Sequence, residues 1–274
     1  RMTLDEILGD EERKRQFVLA NVVIDRARAM RWYDANFLIL FEAARMLLGY
    51  TNPDRRAGFE AAFAPLRTNP GFRPAQMSGL LDAAQLKSLR DAIAGAGSDL
   101  LERHETTMFG RTVLHNLPAI DPLHHALAER VGELAGELVT PAYSFVSQYG
   151  CEGSLPPHLD EPVSKWTLDI CLDQNVEWPI HFSQVIDWPT AAEMRESGPP
   201  QPGEPDLGFR SVTLRPGDAV MFSGSAQWHY RDPMPDQKAG FCHLLFLHYH
   251  PQGTEALVYP ERWADHFGLP ELAV

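Results

Sequence analysis

One stretch of the chain sets the pattern for the rest: Tyr149-Gly-Cys-Glu-Gly-Ser-Leu-Pro-Pro-His158-Leu-Asp160. Its glycines and prolines predict a turn, and a His-x-Asp pair follows that turn directly. A run typical of a β-strand comes next, Trp166-Thr-Leu-Asp-Ile-Cys-Leu172. Because residues i and i+2 of a strand point to the same face, we expect the imidazole of His158 and the carboxylate of Asp160 to project together.

A second histidine later in the chain has similar surroundings. A turn feeds a predicted strand, Arg215-Pro-Gly-Asp-Ala-Val-Met-Phe222, and Gly224-Ser-Ala-Gln-Trp-His229 follows it. Two histidines and one carboxylate on two strands form the set that holds Fe(II) in non-haem oxygenases, so His158, Asp160 and His229 are candidate metal ligands and catalytic residues. The structural alternative is that His158 caps a turn, Asp160 lies in solvent and His229 is a satisfied core histidine.

With these residues in view, the chain from about residue 72 to 250 resembles the Fe(II)/2-oxoglutarate-dependent dioxygenase superfamily, particularly its prolyl-hydroxylase-like branch. There a Tyr-Gly-x-Gly type of turn precedes His-x-Asp, and Pro-Gly-Asp with a strand precedes the distal histidine. The resemblance implies a double-stranded β-helix (jelly-roll) core, Fe(II), 2-oxoglutarate as cosubstrate and O2. It implies an oxidoreductase that hydroxylates its substrate and releases succinate and CO2. The helical N-terminal residues and the insert near 187–208 suggest a semi-enclosed pocket for a small metabolite or amino-acid derivative. Related halogenases carry a small residue at the position of Asp160, so its presence favours an oxidative outcome.

The resemblance also suggests how 2-oxoglutarate would be held. Tyr149 stands nine residues before His158 and matches a tyrosine that hydrogen-bonds the cosubstrate in such relatives. A core tyrosine with a satisfied hydroxyl is the competing interpretation. Relatives place an Arg or Lys at the start of the last core strand, where this chain has Cys242.

Arg231 is our preferred cation for the far carboxylate of 2-oxoglutarate. It lies two residues after His229, and on a continuing strand the two side chains would share a face. Lys238 and His243 are the other candidates. A surface salt bridge with Asp232 or Asp236 is the structural alternative for Arg231.

Composition limits the class of protein. The formal net charge is −13 and no basic run is long enough to follow a phosphate backbone, which argues against nucleic acid as a partner. The three cysteines lack the spacing of a zinc site or a disulfide framework and suit a reducing compartment. No apolar run reaches the length of a bilayer span, and the N-terminal residues lack a signal-peptide core. We therefore expect a cytoplasmic protein that acts on a small molecule, away from membranes.

Periodicity divides the chain into two parts. Residues 1–70 are predicted to form a helical N-terminal layer, which is either packing for the barrel or a lid or dimerisation element over the site. Residues 71–274 are predicted to form the jelly-roll domain, with an insert near 187–208 that serves as a substrate loop or a surface loop. The expected fold class is mainly β with α: a jelly-roll core flanked by helices, with a helical N-terminal extension.

The expected elements follow from the same patterns. Helices are predicted over 11–28, 31–49 and 56–63, from a capping box at Asp82 to about residue 103, over 121–138, and as a single turn over 190–196. Strands are predicted over 104–113, 143–149, 166–172, 178–183, 209–214, 219–222 and 241–250.

Two other functions remain open at this point. One is a metal-dependent oxygenase or cupin-type enzyme that does not use 2-oxoglutarate, and the absence of a basic residue at position 242 favours it. The other is a non-catalytic jelly roll that binds a ligand through the same cavity. The sequence leaves undetermined the substrate, the choice between hydroxylation and desaturation or cyclisation, and whether the chain forms a homodimer.

Overall fold

The computed structural model describes residues 36–188, 190 and 199–273, together with positions 6, 9–11, 13 and 14 near the N-terminus. Two predicted elements, the helix over 11–28 and the helical turn over 190–196, lie almost wholly outside the described residues. Over the described residues the chain is a mixed β and α protein built on antiparallel sheets. None of the helices among these residues combines the length and the apolar composition needed to cross a bilayer.

Ten strands are present in the described part of the chain. They are β1 Ala75–Met77, β2 Arg111–His115, β3 Val139–Tyr149, β4 Leu155–His158, β5 Trp166–Gln174, β6 Ile180–Phe182, β7 Arg210–Val212, β8 Ala219–Phe222, β9 His229–Arg231 and β10 Cys242–Pro251. The larger sheet has the order β1-β8-β5-β10-β3-β2 and the smaller one β4-β9-β6-β7, with every pair antiparallel. Six of the seven predicted strands are therefore found, with ends shifted by a few residues.

The two sheets share one buried layer. Cys171 and Phe246 of the larger sheet lie in the same apolar cluster as Ile180 and Phe182 of the smaller sheet. On β5 the alternate residues Trp166, Leu168, Ile170 and Leu172 belong instead to a cluster on the other face, which the flanking helices cover. This is the period-two division that a strand requires, and it leaves the space between the sheets for the polar residues of the inner face.

The helices that flank the larger sheet are α3 Ala83–Ala94, α4 Thr106–Phe109 and α5 Asp121–Ala135. The capping box that begins α3 is confirmed, since Asp82 accepts from two backbone N–H groups and Gln85 returns a bond to the Asp82 N–H. The prediction that this helix continues to about residue 103 is wrong, because it ends at Gly95. The predicted strand over 104–113 is also partly wrong, as α4 takes its first half.

The N-terminal helices form a second core, which also contains Leu159 and Trp228, the sequence neighbours of the predicted metal ligands. They are α1 Asn36–Thr51 and α2 Pro53–Ala62, and Pro53, which lies between the predicted helices 31–49 and 56–63, stands at the first position of α2. Phe37, Phe41 and Phe59 pack there with the short C-terminal helix α6 Trp263–Phe267. Each fully buried phenylalanine contributes roughly 1.5–3 kcal/mol, so this layer is a structural part of the fold.

Candidate metal centre

The three predicted metal ligands meet where β4, an edge strand of the smaller sheet, pairs with β9. His158 ends β4 and His229 begins β9, and the two residues are direct cross-strand partners with ring centroids 4.1 Å apart. Asp160 follows in the loop, where its N–H donates to the carbonyl of Gly224 at 2.9 Å. A Cβ at position 224 would lie 2.3 Å from Oδ2 of Asp160, so only glycine permits this close approach.

Hydrogen bonds orient all three side chains toward one point. Nδ1 of His158 lies 2.9 Å from the carbonyl oxygen of Pro156, and Nδ1 of His229 lies 3.0 Å from that of Gln227. Since a carbonyl can only accept, each Nδ1 carries the proton and each Nε2 presents its lone pair. Both Nε2 atoms are 3.6 Å from Oδ1 of Asp160, and the three ligand atoms lie within 4.8 Å of one another.

The electrostatics of the cluster suit a divalent cation. Desolvation lowers the pKa of His158 to about 3 and that of His229 to about 4, so both imidazoles are neutral near pH 7. Desolvation also raises the pKa of Asp160, and the hydrogen bond from Thr167 and the charge of Arg111 only partly oppose it, so a bound cation would stabilise the carboxylate. Two neutral imidazoles and a carboxylate in need of a cation are the donor set that an Fe(II)-type site uses.

The second carboxylate oxygen of Asp160, Oδ2, has its own hydrogen-bond partner. Thr167 on β5 donates through Oγ1 to Oδ2 of Asp160 at 3.3 Å, and the same hydroxyl lies 3.0 Å from Nδ1 of His248 on β10. The inner faces of β5 and β10 therefore support the ligand set from behind. Outer contacts of this kind fix the geometry of metal ligands in proteins.

A cavity of about 330 Å³ opens in front of the three ligands. Its polar wall includes Glu105, Arg111 and Glu161, and its apolar wall includes Phe145 and Phe246. Among its described lining residues Arg111 is the one arginine or lysine. The volume accommodates a small molecule beside the metal position.

Arg111 was not predicted as a site residue. It begins β2 directly opposite Tyr149 of β3 and donates from Nη1 to the Tyr149 hydroxyl at 2.8 Å. Its Nε donates to Glu105, while Nη2 has no hydrogen-bond partner among the described residues. The sequence signal is weak, because the cross-strand register of β2 and β3 must be known before Arg111 can be placed beside Tyr149.

Arg231, the predicted cosubstrate cation, occupies a different position. It is buried, donates from Nη2 to Oδ2 of Asp169 at 2.7 Å and from Nη1 to the carbonyl of Trp178, and it does not line the cavity. The inward direction expected from its spacing to His229 is correct. The surface salt bridge weighed for Arg231 does not form, because its acidic partner is the buried Asp169.

The other candidates for the cation are also placed by the structure. Lys238 is exposed in the loop before β10, and His243 is half-buried near the start of that strand. Cys242, at the position where relatives carry a basic residue, is buried and directs its Sγ toward Oε1 of Gln174 at 3.6 Å. Tyr149 is fully buried and reaches the cavity through its contact with Arg111.

Comparison with known proteins supports the architecture. No protein-family model and no curated protein sequence matches the chain. Solved structures do match: HygX from Streptomyces hygroscopicus with nickel, 2-oxoglutarate and hygromycin B bound has a TM-score of 0.53 at 12% identity, covering 71% of this chain and 86% of that one. The non-haem α-ketoglutarate-dependent epimerase SnoN from nogalamycin biosynthesis has a TM-score of 0.51 at 16% identity, covering 72% and 87%. At these identities the likeness establishes a shared fold.

Proposed function

We propose that the protein is a non-haem Fe(II)- and 2-oxoglutarate-dependent oxygenase that acts on a small molecule, with its two sheets forming a jelly roll. The observation that carries the proposal is the ligand set itself. His158, Asp160 and His229 converge with their tautomers already fixed, at the edge of a cavity of small-molecule size. The fold shared with HygX, which binds 2-oxoglutarate and hygromycin B, supports the same function.

Each of the three ligands has a defined role in this proposal. The two imidazoles would hold the metal through Nε2 and the carboxylate through Oδ1, and the cavity lies in front of these three ligands. When bound, Fe(II) and 2-oxoglutarate supply the oxidising chemistry, with O2 consumed and succinate and CO2 released. Thr167 keeps Oδ2 of Asp160 turned away from the metal position, so that the carboxylate binds through one oxygen.

For the far carboxylate of 2-oxoglutarate we propose Arg111 in place of Arg231. Arg111 lines the cavity and has a free Nη2, whereas the Nη atoms of Arg231 are engaged by Asp169 and Trp178. A guanidinium with an open N–H edge is the preferred partner of a carboxylate. In this arrangement Tyr149 holds the Arg111 fork in place by accepting from Nη1.

Helices α1 and α2, together with Trp188 at the start of the insert near 187–208, are proposed to cover the cavity entrance. The N–H of Phe37 donates to the carboxylate of Glu161, which is a cavity residue, and Trp188 of the insert packs on Phe37 and Phe41 with ring centroids 5.6 and 5.2 Å away. These contacts join the predicted helical layer over residues 1–70 to the predicted domain over 71–274. Exclusion of water from reactive intermediates is the function of such covers.

An anaerobic titration tests the proposed function. Fe(II) and then 2-oxoglutarate are added to the metal-free protein while the visible spectrum is recorded. We expect a charge-transfer band that needs both additions, because bidentate 2-oxoglutarate on Fe(II) produces it. His158→Ala should abolish the band, and His125→Ala, which removes an exposed histidine of α5, should leave it unchanged.

Two results would contradict the proposal. Iron binding without a band would favour an oxygenase that works without 2-oxoglutarate, or a binding module. If the wild-type protein binds no iron, the three residues do not form the proposed metal centre.

A further inference from the structure

His248 has a buried nitrogen that the protein leaves unpaired. The residue is 2% exposed, lines the cavity, and its Nε2 has no hydrogen-bond partner among the described residues. Its ring is held between the strands by stacking on Tyr143, with centroids 4.3 Å apart, and on Phe145 at 5.4 Å. A buried polar atom without a partner costs roughly 1–3 kcal/mol, so its presence in a cavity wall indicates a ligand.

The neighbours of the ring decide which nitrogen carries the proton. Nδ1 lies 3.0 Å from Oγ1 of Thr167, whose other neighbours are Oδ2 of Asp160 at 3.3 Å and the carbonyl of Ser164 at 3.4 Å. Both of those oxygens can only accept, and we infer that the one hydroxyl proton of Thr167 goes to Oδ2 of Asp160, the oxygen that it supports beside the metal position. His248 then donates from Nδ1 to Thr167, and its Nε2 is a bare acceptor.

We propose that Nε2 of His248 accepts a hydrogen bond from an O–H or N–H group of the substrate. The oxidation of that substrate rests on the proposed function, but its recognition by His248 does not. Because Thr167 joins His248 to Asp160, the donor group would be held on the wall next to the metal ligands. His248 is therefore a specificity-determining residue that selects a substrate bearing a hydroxyl or an amine.

The charges of the cavity narrow the substrate class further. Glu161 and Asp160 are carboxylates in the lining, and Glu105 already balances the charge of Arg111. This part of the inference rests on the proposed function: Fe(II) and Arg111 bring three positive charges to the space, against five negative charges from Asp160, Glu105, Glu161 and the dianionic cosubstrate. A second acidic group would be repelled, so the substrate is a neutral polyol or a protonated amine, not a carboxylate or a phosphate ester.

The tautomer can be measured without the natural substrate. The protein is labelled with 15N-histidine and studied metal-free and with diamagnetic Zn(II) and 2-oxoglutarate, and the His248 signals are assigned by their loss in His248→Phe. We expect a protonated Nδ1 and an unprotonated Nε2. His250, which lies two residues further on β10 and bonds through Nδ1 to the carbonyl of Pro251, is the internal control.

Glucosamine, glucose and gluconate then serve as probes of matched size. We expect glucosamine, glucose or both to shift the His248 Nε2 resonance while His250 stays unchanged, and gluconate to have no effect. A response to glucosamine alone identifies an amine as the donor, and a response to both identifies a hydroxyl. The affinity of the responding probe should fall about tenfold in His248→Phe, which keeps the ring, and recover in His248→Gln, which restores an acceptor.

A protonated Nε2, or failure of both donor probes to move its resonance, would overturn the proposal. Equal probe affinity in the wild type and His248→Phe would overturn it as well. These outcomes are separate from those of the iron titration. If no charge-transfer band forms but the donor probes still act on Nε2, the binding role of His248 stands and the oxygenase does not.

Discussion

Two buried arginines on the inner side of the sheets differ in what their side chains contact. The Arg111 guanidinium is divided among Glu105, the Tyr149 hydroxyl and an open edge toward the cavity. The Arg231 guanidinium donates to Asp169 and to the carbonyl of Trp178, and its Cζ lies 5.0 Å from the centroid of the Trp178 ring. A buried charge is common to both, and each has a donor atom without a partner among the described residues, Nη2 of Arg111 and Nε of Arg231, so what distinguishes Arg111 is its place in the cavity wall.

The Arg231–Asp169 ion pair is a structural element, and removing only one of its two side chains would destabilise the fold. Asp169 is completely buried, and desolvation raises its pKa while the charge of Arg231 opposes that rise. Removing one member of a buried pair leaves an uncompensated charge, which is far costlier than removing both. The role of Arg231 is therefore tested by the stability of its variants, and the role of Arg111 by the affinity of its variants for 2-oxoglutarate.

The largest expected effect is on the stability of an Arg231 variant. Arg231→Met should lower the free energy of unfolding by about 3–5 kcal/mol, because Asp169 would remain buried without its cation. Urea denaturation followed by circular dichroism measures this loss. The double variant Arg231→Met with Asp169→Leu should recover most of it. A stable single variant that no longer binds 2-oxoglutarate would contradict the comparison and make Arg231 the cosubstrate cation.

Arg111 should instead affect cosubstrate affinity. Arg111→Met is expected to weaken 2-oxoglutarate binding about 100-fold, on the order of 2.7 kcal/mol, since a charged pair to the far carboxylate is lost. The dissociation constant is read from the charge-transfer band at constant Fe(II). Arg111→Lys should recover only part of the affinity, because it keeps the charge without the fork.

Arg90 supplies the control for this measurement. It is a half-exposed arginine that donates from Nε to the carbonyl of Leu172 at 2.8 Å, away from the cavity. Arg90→Met should leave 2-oxoglutarate affinity unchanged. If the affinity for 2-oxoglutarate is also unchanged in Arg111→Met, Arg111 does not bind the cosubstrate.

The difference between the two arginines marks the limit of prediction from the sequence. His158, Asp160 and His229 could be predicted because strand parity and the turns around them are local features, and the structure brings the three together. Parity also placed Arg231 on an inner face. Its partner, and the proximity of Arg111 to Tyr149, depend on pairing between strands far apart in the sequence, which no local pattern specifies.

Local sequence signals also explain the errors in the predicted bounds of helices and strands. The start of α3 was predictable because a capping box is a contiguous motif, but its end was overestimated although Gly95 and Gly97 are evident stop signals. Likewise, Gly110 adopts φ 65 at the end of α4 and divides a segment that alternation alone had joined into one strand. Turn residues carried more information than apolar periodicity at both places.

The smallest expected effect concerns how Tyr149 contributes. Tyr149→Phe should weaken 2-oxoglutarate binding about fivefold, near 1 kcal/mol, because Arg111 loses the acceptor that holds its Nη1. Tyr249→Phe is the matched control, since it removes a buried hydroxyl that bonds to the carbonyl of His124 outside the cavity. It should lower stability by a similar amount and leave the affinity unchanged.

A double-mutant cycle then separates two roles for the Tyr149 hydroxyl. If Tyr149 acts by holding Arg111, adding Tyr149→Phe to Arg111→Met should change the affinity for 2-oxoglutarate no further, because the group it positions is already absent. If the hydroxyl contacts the cosubstrate directly, as the sequence predicted, the two losses should add. Additive losses would indicate that Tyr149 contacts 2-oxoglutarate directly. The open edge of Arg111 would then not bind the cosubstrate alone.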